Sequence, residues 1–111
     1  MRRRALLAAP LLTAPAAAQP AALDLLLVLA VDASGSIDAG EFELQREGIA
    51  EALSHPAVLA AIRSGRRSAI GVAMVEWGSP GGAATVVEWM RVADATTARA
   101  AAEAMKSAPR S

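Results

Sequence analysis

Cysteine is absent from the 111 residues, which removes disulfides and thiolate metal sites at once. Histidine is scarce as well, since His55 is the single imidazole. A metal site in this chain must therefore rest on carboxylate and hydroxyl oxygens, a donor set that favours hard cations over zinc. The G-x-S-x-G elbow of serine hydrolases is missing, and no histidine is placed to act as a base for a serine. A hydrolase, or a phosphotransferase using Asp32, has little support, and the chain is expected not to be an enzyme. There is no internal repeat. With 54% hydrophobic residues, many of them alanine, the length allows at most one modest domain.

The apolar run Ala5 to Ala14 is too short to span a bilayer. It follows Arg2, Arg3 and Arg4 and precedes the small residues Ala16, Ala17 and Ala18, which together make the three-part pattern of a secretory signal peptide over residues 1–18, cut before Gln19. The expected location is periplasmic or secreted, with the membrane met only through the signal peptide during export. Removing the leader takes three of eleven basic residues and no acidic one, leaving eight against eleven and a formal charge of minus three. That balance argues against nucleic acid as a partner. Residues 19–22 read as a Pro/Ala linker, and residues 23–111 as the domain.

The run Leu25 to Val31 shows no alternation, as expected of a strand buried on both faces of a parallel sheet. It predicts helices on both faces of that sheet and a ligand edge at the strand's carboxyl end, where Asp32, Ser34 and Ser36 follow. Asp38 with Glu41 forms a capping-box pattern and predicts a helix from Ala39 to Leu53. Its apolar side holds Phe42, Ile49, Ala52 and Leu53, while Glu43, Glu47 and Glu51 share another side. Ser54-His55-Pro56 breaks that helix and opens a short second one through Ile62. Ser68 to Trp77 predicts a second strand, with Ile70, Val72 and Met74 on one face and Glu76 either continuing that face or solvated near the strand's carboxyl end. The Gly/Pro link at residues 78–82 is too short for a crossover helix, so Thr85 to Met90 is expected to return antiparallel at a sheet edge. Asp94 or Thr96 then caps an alanine-rich helix over Ala95 to Lys106.

A cation such as Mg²⁺ takes about six oxygens and keeps some of them as water. In D-x-S-x-S, Asp32 supplies charge and the hydroxyls of Ser34 and Ser36 supply neutral ligands, with Gly35 relieving the backbone between them. The same residues also serve commonly as caps and turns. Elsewhere, His55 reads as a surface or capping residue, Trp77 and Trp89 as strand-end packing, and Arg63, Arg66 and Arg67 as a solvated turn.

The segment V-L-A-V-D-A-S-G-S-I resembles the von Willebrand factor type A domains, whose metal-ion-dependent adhesion site begins with D-x-S-G-S after the first strand. V-D-A-S-G-S-I-D-A-G-E-F-E-L-Q-R-E-G, then A-L-S-H-P-A-V-L-A-A-I and V-E-W, is similar to a group of exported bacterial proteins carrying such a domain with no known function. The resemblance runs from Leu23 to about Lys106. It implies a partial Rossmann-like three-layer α/β fold of about three strands, two parallel and central and one antiparallel at the edge, with two to three helices. It also implies that Asp32, Ser34 and Ser36 bind Mg²⁺, or Mn²⁺ or Ca²⁺, directly or through water, and that the domain binds a protein ligand offering a carboxylate.

The match has a limit. A complete adhesion site also takes a threonine from a second loop and an aspartate from a third, and neither is present; Thr85, Asp94, Thr96 and Thr97 fall at strand or helix-start positions instead. The chain resembles the amino-terminal half of such a domain and is expected to be a truncated product with weak metal affinity. An unpartnered sheet edge would bring marginal stability or self-association. The rival expectation is a structural half-domain that assembles with another chain through that edge.

Overall fold

The computed structural model describes residues 22–111; the expected signal peptide and residues 19–21 of the linker lie outside the described residues. Six elements follow in chain order: β1 (Leu25–Asp32), α1 (Ala39–Ser54), α2 (Pro56–Arg63), β2 (Ile70–Trp77), β3 (Ala84–Val92) and α3 (Ala95–Ser107). The strands form one sheet in the order β1-β2-β3, with β1 parallel to β2 and β3 antiparallel to it. This is the mixed α/β sheet expected from the sequence.

Local chemistry sets the element ends. Asp38 accepts the Glu41 amide at 2.8 Å while the Glu41 carboxylate accepts the Asp38 amide at 2.9 Å, which closes the capping box of α1. His55 ends α1 and caps α2, its Nδ1 accepting from the Ala57 amide at 3.0 Å, while Pro56 occupies the first turn. The second strand begins at Ile70 rather than Ser68, because Ser68 has a φ of 56° and donates through its hydroxyl to the Arg63 carbonyl. Asp94 caps α3 by accepting from the Thr97 amide at 2.8 Å.

One core gathers side chains from all six elements, with Val72, Met74, Val92 and Met105 fully enclosed at its centre. Leu27 pairs with Val72 and Leu29 with Met74, so these inward positions share the face on which the helices pack. Shifts of register between β2 and β3 bring Val87 and Val92, an odd number of residues apart, to the same side. On α1 the buried stripe is Arg46, Ala50 and Leu53, with Phe42 and Ile49 partly covered; Ala52 is exposed, a correction to the expected apolar face.

The sheet and one helix layer of the expected architecture are present, and the described residues place no helix over the opposite face. Leu26 is 62% exposed and Val28 49%, and Trp77 and Trp89 are about half exposed, so the tryptophans are not the packed strand-end residues expected. The outer edge of β1 has no neighbouring strand among the described residues. The apolar run at Leu25 to Val31 does form a strand, but only Val31 of that run is buried. A parallel strand is ordinarily covered on both faces and both edges, which is the cover that β1 lacks here. No helix of the described residues is long and apolar enough to cross a membrane.

Candidate functional site

The D-x-S-G-S loop leaves the carboxyl end of β1 beside the end of β2. The Ala33 amide donates to the Trp77 carbonyl at 2.8 Å, and Gln45 on α1 donates from Nε2 to the Asp32 carbonyl at 3.2 Å. Asp32 Oδ1 then accepts the Ser34 amide at 2.9 Å, a side-chain turn that folds the loop back over the strand end. That amide first and the Ser34 hydroxyl second hold the Asp32 carboxyl below the usual carboxylate range, against an upward push from burial that outweighs the small downward pull of the Arg110 charge. The carboxylate is therefore charged at neutral pH.

The hydroxyls of Ser34 and Ser36 lie 3.2 Å apart. Asp32 and Ser34 are half-buried and Ser36 is exposed. The fold thus brings the three expected residues together, with one carboxylate and two hydroxyls at the carboxyl end of β1. As a donor set for a hard cation they supply three of about six oxygens and leave the remainder to water or a partner. Among the described residues no group of three or more histidine, aspartate or glutamate side chains could hold a metal ion. Asp94 and Thr97 are engaged with each other at the start of α3, and Thr85 lies exposed on β3.

The glycine that the loop depends on is Gly78, not Gly35. A Cβ on Gly35 would meet nothing within 4 Å, whereas Gly78 has a φ of +94° and a Cβ there would fall 2.9 Å from the Ser34 Cβ. The end of β2 is therefore moulded against the site loop.

Behind the loop lies a group that the sequence reading did not identify. Arg46 of α1 forms a buried ion pair with Glu76 of β2, and its Nη1 also meets the Met74 sulfur at 3.1 Å. Burial lowers the Arg46 pKa, and the facing Glu76 charge opposes that shift. A solvated Glu76, one of the expected alternatives, is excluded by its complete burial. The other oxygen of Glu76 accepts the Ser111 amide at 2.6 Å. The Phe42 ring carries two guanidinium groups, Arg46 at 4.5 Å and Arg110 at 4.9 Å from its centroid. A signal for the pair existed: Arg46 sits four residues from Phe42 and from Ala50 on the core stripe, and Glu76 continues the inward series Ile70, Val72, Met74. Opposite charges at two core-period positions imply a buried pair.

The remaining candidates keep modest roles. His55 is a cap, and Arg63, Arg66 and Arg67 are exposed around the turn before β2.

No curated protein and no solved structure matches the chain. A family model described as "Protein of unknown function (DUF1194)" matches residues 22–111, which takes in the whole described fold and the D-x-S-G-S loop. The chain belongs to this family of unknown function.

Proposed function

We propose that the D-x-S-G-S loop is a weak divalent-cation site in an exported protein-binding module of the von Willebrand factor A type. The observation that carries the reading is the meeting of Asp32, Ser34 and Ser36 at the carboxyl end of β1, with the two hydroxyls 3.2 Å apart and the carboxylate ionised. The parallel β1–β2 pair with α1 following the loop is the setting in which α/β sheets bind ligands. Mg²⁺, Mn²⁺ or Ca²⁺ would be held by Asp32, Ser34 and Ser36. A cation neutralised by a single carboxylate retains positive charge, and so would accept a carboxylate from a protein partner. The leader at residues 1–18 supports export to the periplasm or beyond.

The test is paramagnetic broadening by Mn²⁺ in an amide NMR spectrum. The reading predicts loss of signal centred on residues 32–37; broadening spread evenly over the acidic surface, or centred on Glu43, Glu47 and Glu51, would overturn it.

A second reading is favoured by the outer edge of β1, with Leu26 and Val28 exposed beside it. An edge of this kind accepts a strand, from a second copy or another chain, by backbone pairing. Light scattering against concentration tests it, and Val28→Lys is expected to abolish any association that runs through this edge. A wild-type monomer at all concentrations, unchanged by candidate partners, would remove this reading.

A further inference from the structure

The carbonyls of the site loop are collected by one distant side chain. Arg110 Nη2 lies 2.8 Å from the Ile37 carbonyl, 2.9 Å from that of Ser34 and 3.3 Å from that of Ala33. Two further contacts fix the segment that carries it: the Ser111 amide donates to Glu76, and Arg46 donates to the Pro109 carbonyl at 3.4 Å. The guanidinium also stacks on Phe42, itself anchored on α1. A positive group placed over three carbonyls of one short loop draws them to a common side. Those three carbonyls are then engaged by Arg110, while the side-chain oxygens of Asp32, Ser34 and Ser36 bond only within the loop and can turn to a cation.

From this geometry we infer that Arg110 is a positioning residue for the site loop, presetting its hydroxyls for a hard divalent cation while taking the Ala33, Ser34 and Ile37 carbonyls out of the ligand set. The inference rests on the cation reading above. Arg110 touches carbonyl oxygens and not the Asp32 carboxylate oxygens, so it orders the loop without occupying the place of the cation. All three contacts come from one nitrogen with two protons, so at least one proton is shared, and an ammonium, with three protons but no planar group to stack on Phe42, restores the donors in part.

The experiment compares the wild-type chain with Arg110→Met and Arg110→Lys. Methionine keeps apolar bulk over Phe42 and removes the donors; lysine restores donors. Two quantities are read: Mn²⁺ affinity from the free-ion electron paramagnetic resonance signal, and amide hydrogen exchange of residues 34–37 in metal-free protein. Supporting partners of metal ligands typically change affinity about 10-fold or more, so Arg110→Met is expected to bind Mn²⁺ about 10-fold more weakly. Its loop amides should also exchange faster while those of β2 stay protected, and Arg110→Lys should return both quantities toward wild type. Arg110→Met with wild-type affinity and exchange would overturn the positioning role and leave the cation site standing. A wild-type chain that binds no Mn²⁺ overturns the cation site and with it the presetting for a cation. Loss in Arg110→Met with no recovery in Arg110→Lys would also overturn the assigned donor role.

Discussion

Arg46 and Glu76 meet as an ion pair inside the core, joining the middle of α1 to the end of β2 one residue before Trp77, whose carbonyl accepts the first amide of the site loop. Both side chains are almost wholly enclosed. Removing one partner strands the other charge, so Glu76→Ala is expected to destabilise the fold by about 3–5 kcal/mol, whereas an apolar double replacement, Arg46→Leu with Glu76→Leu, should recover most of the loss. Urea denaturation of Glu76→Ala, Arg46→Leu and the double replacement measures this. Near-wild-type midpoints for both singles would deny the pair a structural role.

Gly78 should be intolerant of a side chain. Its φ of +94° and the close approach to Ser34 predict that Gly78→Ala destabilises by more than about 1 kcal/mol and shifts the amide signals of residues 33–36. Gly35→Ala, with open space around its Cβ, is expected to be mild. The reverse order in melting temperature would contradict the packing described between the end of β2 and the loop.

Met105 and Leu44 give a test of the one-sided core. Met105 is fully buried, and its replacement by alanine should cost about 2–5 kcal/mol. Leu44 is 70% exposed, and Leu44→Ala should change stability by less than about 0.5 kcal/mol. Chemical denaturation of both variants distinguishes this core from one in which the other side of α1 is buried.

The capping carboxylate of Asp94 predicts a pH dependence. The Thr97 amide first, and its hydroxyl second, hold Asp94 below the usual carboxylate range. A group whose folded pKa lies below its unfolded value stabilises the fold above the unfolded value, and that contribution is lost as pH falls through the folded one. Asp94→Asn can accept the same amide but does not titrate. Thermal melts should therefore show a wild-type advantage over Asp94→Asn at neutral pH that shrinks below about pH 4. An advantage that is constant down to pH 2 would contradict the assignment.

Features written in short stretches were readable in the sequence. The Asp38–Glu41 box, the break at His55-Pro56, the return of β3 and the approach of Ser34 to Ser36 all depend on neighbours within a few residues. The exposure of Leu26 and Val28 was not readable, because an apolar run reports what a strand can bury and not which neighbours cover it. Arg46 and Glu76, 30 positions apart, each sit at a core-facing position of their own element, but only the topology pairs them, and Arg110 with Ser34, 76 positions apart, carries no spacing signal at all. Ala50 and Ala52 look alike in composition, yet the placement of Arg46 turns Ala50 inward and Ala52 to solvent.

The central claim is that Asp32, Ser34 and Ser36 together bind a divalent cation, and calorimetric titration of Mn²⁺ into the wild-type chain, Asp32→Ala and Asp38→Asn tests it most directly. Asp38 is a carboxylate of the same segment that is committed to capping α1. The account predicts weak, saturable binding to the wild type, binding retained in Asp38→Asn, and none in Asp32→Ala. Equal binding by wild type and Asp32→Ala, or no binding by the wild type, would contradict it.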